Sequence, residues 1–196
     1  MSSKHTNDSE ILNQTRNIWY PPGGILMWMI IMVELITFFM GIGSMLLDKR
    51  ADNLAFLKMQ SELNVNFALI NTFLLVTSGY AVALAVYYFE RGKDRFFVYW
   101  LMVSILFGFL FLVLKGWEYK TKLNLGLDLH AGGFWSYYWL LTGFHYLHVI
   151  AGIVILSLVL FYRNSISLEN LEASAAFWHM CDLIWVVLFP VLYLIH

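Results

Sequence analysis

Apolar residues in this chain neither alternate nor recur as a stripe; they fill whole runs, separated by short polar clusters. Five runs are long enough to cross a bilayer core of about 30 Å as helices. They lie at about 24–47, 66–89, 96–114, 134–162 and 176–195. A helix closes its own backbone hydrogen bonds, which the bilayer interior requires. The pattern predicts an all-α integral membrane protein: a five-helix bundle forming one membrane domain over 24–196, with connections too short for a soluble domain. Residues 1–23 read as a polar tail. They lack the short apolar core and small-residue cleavage site of a cleavable signal, and Pro21, Pro22 and the following glycines stop any earlier helix.

Composition agrees with the pattern. Hydrophobic residues make up 60% of the chain and charged residues 13%, and the mean hydropathy is +0.68. That much apolar surface has no soluble core of this size to enter. A net charge of −1 gives no reason to expect nucleic acid, and one cysteine, Cys181, excludes an intrachain disulfide or a thiolate metal cluster. Lysine and arginine divide evenly between the two sides. The tight connection ERGKDR, at 90–95, packs three bases beside two helix ends, where the positive-inside rule acts most strongly. This places the N-terminus in the cytoplasm and the C-terminus on the opposite side of the membrane.

Few ionisable groups enter the spans. Glu34 is the only charge in its run, near the middle of MWMIIMVELITFFMGIG. A carboxyl at that depth is costly, so it should face protein or trapped water and find a partner. In the fourth run, TGFHYLHVIAG puts His145 and His148 at i, i+3 on one helix face and at the same depth. Such a pair can hold a metal, but a catalytic metal usually takes a third protein ligand and none lies at that depth. A hydrogen-bonded pair with Glu34 is the better expectation; the alternative is a protonated Glu34 bonded to a backbone carbonyl or to Asn71. Asn71 shares a helix face with Ser78, in NTFLLVTSGYA, where packing and interhelical hydrogen bonding explain both. Glu34, Asn71, His145 and His148 are thus the expected buried polar network.

The last run opens FWHMCDLIWVVLFPVLYL. His179 and Asp182 are expected one to two turns below the membrane surface. Trp178, Asp182 and Trp185 share a face suited to lipid or a partner. The rings alone would fit an interfacial belt, and a His179–Asp182 polar contact is expected to face a lipid headgroup or a partner helix. The third run ends FLVLKGWEYKTK, where Lys115 is expected to snorkel to the interface. There it would form with Glu118 a surface ion pair or a contact to another subunit.

Together these strings resemble subunit III of the haem–copper oxidase superfamily. The likeness runs through MVELITFF, NTFLLVTSG, Glu118–Tyr119, LTGFHYLHVIAG and FWHMCDLIWVVLFPVLYL. It covers nearly the whole chain after residue 24, and its five helices match the short bacterial form. KGWEY and the last string are similar to the NorE-type branch that accompanies nitric oxide reductases. Two positions depart from the oxidase pattern: Lys115 stands where glutamine is common, and Tyr146 replaces the glycine of GFHGLH. The resemblance implies an accessory subunit without redox centres. Haem and copper or non-haem iron would belong to a subunit I-like catalytic partner, whose turnover and proton uptake this chain would support while holding structural phospholipid in a cleft. An assembly or stability factor for such a complex, and a stand-alone proton or small-solute carrier built on Glu34 and the two histidines, are the alternatives.

Overall fold

The computed structural model describes residues 23–195, so all but Gly23 of the tail expected at 1–23 lies outside the described residues. Six helices follow in order: α1 (Ile25–Ala51), α2 (Asn53–Gln60), α3 (Val65–Glu90), α4 (Asp94–Asn124), α5 (Phe134–Phe161) and α6 (Leu168–Tyr193). All but α2 are long and apolar enough to span a membrane. This is a multi-pass membrane protein.

Helix ends follow local chemistry rather than the edge of each apolar run. Asn64 caps α3, its Oδ1 accepting from the backbone N–H groups of Asn66 and Phe67. Ser167 caps α6 by accepting from Asn170 N. That cap starts α6 about two turns before the expected position near 176. The first turns, LENLEAS, are polar but helical, with Glu169 complementing the helix dipole. As a result His179 and Asp182 sit near the middle of α6, not close to its entrance.

α4 likewise continues to Asn124, ten residues beyond the expected end near 114. It stops where Gly126 adopts φ +73°. There Gly126 N bonds Leu123 O and Leu127 N bonds Lys122 O, a closure that needs the left-handed conformation glycine tolerates. Gly92 ends α3 the same way at φ +64°, with Gly92 N on Phe89 O and Lys93 N on Tyr88 O.

α6 is the centre of the bundle. It buries thirteen residues, among them Trp178, Cys181, Trp185 and Tyr193, against four for α1. α3 and α4 form an antiparallel hairpin joined by Ser78, whose hydroxyl donates to Ser104 O at 2.8 Å. The Ser78 proton is thereby used, so in the 2.9 Å contact between the two hydroxyls Ser104 is the donor.

The connection after α1, read from sequence as a loop, contains α2, which lies across one end of the bundle. Phe56 is buried there and packs edge-on against Phe134 at 6.2 Å. Gln60 Nε2 donates to Leu192 O at 2.9 Å. Lys49 Nζ donates to Gln60 Oε1 at 3.2 Å and to Ile195 O at 2.7 Å. These side chains take up carbonyls at the α6 C-terminus that have no partner within the helix.

Candidate functional site

Polar chemistry inside the bundle falls into two regions. The first is at mid-membrane depth, where α1 crosses α5. Glu34 Oε2 and His148 Nε2 are 3.3 Å apart. His148 Nδ1 lies 2.8 Å from the carbonyl of Phe144. A carbonyl only accepts, so Nδ1 carries a proton and Nε2 is the nitrogen that turns to Glu34. The ion-pair distance is met without hydrogen-bond alignment, leaving Glu34 Oε2 without a hydrogen bond.

His145 does not join the pair. It is fully buried, with its ring stacked on Trp185 at 5.3 Å and its sides closed by Phe38 and Phe111. Among the described residues neither ring nitrogen has a hydrogen-bond partner, and neither has the Asn71 amide. The expected network of Glu34, Asn71, His145 and His148 therefore reduces to one contact, Glu34 with His148. The i, i+3 spacing does put both histidines on the same side of α5. The aromatic rings around His145 then separate it from any polar group.

On α6, His179 Nδ1 lies 3.5 Å from Asp182 Oδ2. Gly79 of α3 makes room for this pair: a Cβ there would stand 1.9 Å from Asp182 Oδ2. His179, about half exposed, lines a groove of about 520 Å³ with Trp28, Leu35, Val86 and Glu172.

Trp178 and Trp185 are not part of that groove, which corrects the expectation that they face lipid or a partner. Both are fully buried. Trp178 fills a slot between α4 and α5 in which a Cβ on Gly108 or Gly152 would come within 2.7 Å of the indole. Its Nε1 donates to Ser78 Oγ at 3.1 Å. Trp185 Nε1 donates to Thr72 Oγ1 at 3.0 Å. Satisfied indole N–H groups make these rings interior anchors rather than interfacial ones.

The second polar region surrounds Lys115 and overturns the interfacial reading of that residue. Lys115 is 1% exposed and Glu118 8%. The ammonium donates to Glu118 Oε2 at 3.0 Å, Tyr138 Oη at 3.1 Å and Tyr193 Oη at 2.7 Å. Each phenol in turn donates to Glu118 Oε1 at 2.8 Å. Three N–H and two O–H donors thus make five bonds, and both carboxylate oxygens are filled. The rings of Tyr119, Tyr138, Trp185 and Tyr193 stand 4.9–5.4 Å from the ammonium, adding cation–π attraction in a desolvated setting. Snorkelling fails as an account because α4 continues past Lys115 and the side chain points inward, where a complete set of acceptors meets it.

Tyr138 and Tyr193 were absent from the sequence reading. The available signal was Lys115 and Glu118 at i, i+3 on a helix whose apolar run had just ended; nothing in the sequence pairs them with tyrosines 20 and 75 positions from Glu118. Tyr146, the residue that replaces a glycine, spans α4 and α5 by donating to Leu112 O at 3.3 Å, with Gly116 beneath its hydroxyl.

Among the described residues no three His, Cys, Asp or Glu side chains converge as a metal site. Comparison with known proteins is specific. A protein named probable quinol oxidase subunit 3 from Staphylococcus saprophyticus is 29% identical over 144 residues, covering 70% of this chain and 72% of its own. Its namesake from Staphylococcus aureus strain USA300 is 31% identical over the same coverage. One from Staphylococcus epidermidis is 29% identical over 136 residues, covering 67% of this chain and 68% of its own. The family described as cytochrome c oxidase subunit III matches residues 54–196, and the chain belongs to that family.

Proposed function

We propose that this chain is a non-catalytic accessory subunit of a respiratory haem–copper terminal oxidase or nitric oxide reductase complex. The observation that carries the reading is the family match over 54–196, which takes in α3 to α6 and both polar regions except Glu34. The side chains point the same way. His145 is enclosed by aromatic rings, His148 is committed to Phe144 O and Glu34, and His179 faces Asp182. Haem and copper, or non-haem iron, belong in this reading to a subunit I-like partner. Of the two chemistries raised by the sequence, the names of the staphylococcal relatives favour an oxidase fed by quinol.

The contribution of the chain to that partner is support of its stability, lipid environment and proton uptake. The groove between α1, α3 and α6 suits an acyl chain, since apolar side chains of all three helices line it and His179 offers an imidazole along its wall. The orientation that goes with this reading has the N-terminus in the cytoplasm.

Purification of the native complex from a bacterial membrane tests the proposal. The chain is expected to migrate with a haem-containing membrane subunit, and deletion of its gene to lower turnover of that complex without removing its haem. A stoichiometric haem or copper signal on the purified single chain would overturn it.

A further inference from the structure

Among the described residues, Lys122 is the buried cation that no acid balances. It is 7% exposed. Its ammonium donates to Glu62 O at 2.7 Å and lies 5.3 Å from the centre of the Trp135 ring. Among the described residues no carboxylate comes within ion-pair distance of it. Three N–H donors with one carbonyl partner leave capacity for an anion, and a desolvated, uncompensated charge is costly.

Lys122 also lines a pocket of about 330 Å³ between the start of α3 and the last turns of α4. The other donors there favour the same kind of ligand. Asn64 uses its carbonyl to cap α3, which leaves its amide N–H₂ free, and the capped turn carries the positive end of the helix dipole. Thr121 donates instead to Trp117 O.

Two carboxylates line the pocket as well. Glu118 is saturated by Lys115, Tyr138 and Tyr193. Glu62 is exposed and has no ion pair among the described residues. Phe67, 41% exposed, and Trp117, 70% exposed, form the apolar walls. An anion site and a separate acid, flanked by aromatic rings where a membrane span begins, match a zwitterionic amphiphile at the bilayer interface.

We propose that this pocket binds the headgroup of an aminophospholipid, with its phosphodiester on Lys122 and Asn64, its ammonium on Glu62, and its chains beside Phe67 and Trp117. The site is separate from the groove along α1, α3 and α6 and does not depend on the identity of the catalytic partner.

Native mass spectrometry of the full chain, purified with the subunits that accompany it, tests the assignment. Phosphatidylethanolamine, phosphatidylglycerol and inorganic phosphate serve as separate probes. The expected result is one phosphatidylethanolamine retained about fivefold or more in preference to phosphatidylglycerol. Lys122→Met is expected to weaken retention of both lipids by about fivefold to tenfold, and Lys122→Arg to restore it. Glu62→Gln leaves the Glu62 O bond to Lys122 in place, so it tests the site without disturbing the fold. It is expected to abolish the preference for phosphatidylethanolamine while phosphatidylglycerol still binds. Equal retention of phosphatidylethanolamine in the unmodified chain and in both Lys122→Met and Glu62→Gln would overturn the proposal. Displacement of the bound lipid by inorganic phosphate would also overturn it, by showing a free-anion site.

Discussion

The two polar regions of this bundle hold similar chemistry in opposite states of completion. Around Lys115 the ammonium, the Tyr138 and Tyr193 phenols and both Glu118 oxygens are bonded across α4, α5 and α6, and the neighbouring Tyr119 hydroxyl alone in that region lacks a partner among the described residues. At mid-membrane the groups are less well met: among the described residues Glu34 Oε2 and Asp182 Oδ1 find no hydrogen bond, and neither do His145 and Asn71. The difference follows from the packing. The Lys115 cluster forms where α4, α5 and the end of α6 converge beneath α2. Glu34 sits on α1, the spanning helix with the fewest buried residues, and Asp182 faces α3 beside an open groove. A closed polar network rigidifies a fold, whereas a partly satisfied one leaves capacity for something else. In this molecule the Lys115 cluster at the sealed end is a closed network that ties three helices, whereas the polar groups of the middle are left partly unmet.

Substitutions at the sealed end should therefore cost the most. Lys115→Met leaves Glu118 buried without its cation, and we expect a loss of about 3–5 kcal/mol. Thermal unfolding of the detergent-solubilised chain would report it. Adding Glu118→Leu to that variant should recover a large part of the loss, because no uncompensated charge remains. Should Lys115→Met unfold no earlier than the unmodified chain, the cluster does not carry the stability ascribed to it.

The aromatic slot comes next. Gly152→Ala would place a methyl 2.6 Å from Trp178 Cε3, and overpacking of this kind typically costs about 1–3 kcal/mol. Tryptophan fluorescence would show a shifted environment for the indole. The same change at Gly43, whose Cβ would meet nothing, should be silent.

Glu34 is the sharper test of the comparison. Glu34→Ala should weaken the docking of α1 by about 1 kcal/mol, read as faster protease cleavage of the segment joining α1 to α3. Glu34→Gln keeps a hydrogen-bonding group facing His148 and should resemble the unmodified chain. Equal effects of the two would remove the pair as a tie between α1 and α5. The smallest effect is expected from Tyr137→Phe. It deletes a 2.5 Å bond to Asp48 at the exposed edge of the sealed end, and a shift within about 0.5 kcal/mol is the expectation for such a surface change.

Sequence alone was enough to expect five membrane-spanning helices, because each apolar run is long enough to cross the bilayer and a helix closes the backbone bonding that the bilayer demands. It also brought out the ionisable residues inside the expected spans, since each one interrupts an otherwise apolar run, but not Tyr138 and Tyr193, which do not stand out in an aromatic-rich run. Tertiary structure decided what each of them does. Lys115 and Glu118 are adjacent on their helix, yet their burial depends on tyrosines supplied by α5 and α6. His145 and His148 are three residues apart and chemically identical, yet one meets a carboxyl and the other is enclosed by rings. Trp178 and Trp185 have the composition of an interfacial belt; the glycines of α4 and α5 draw the first inside, and Thr72 of α3 receives the second. Periodicity records which face of a helix a residue occupies. Only the packing of the other helices against that face determines whether it meets a partner, an open groove or a closed wall.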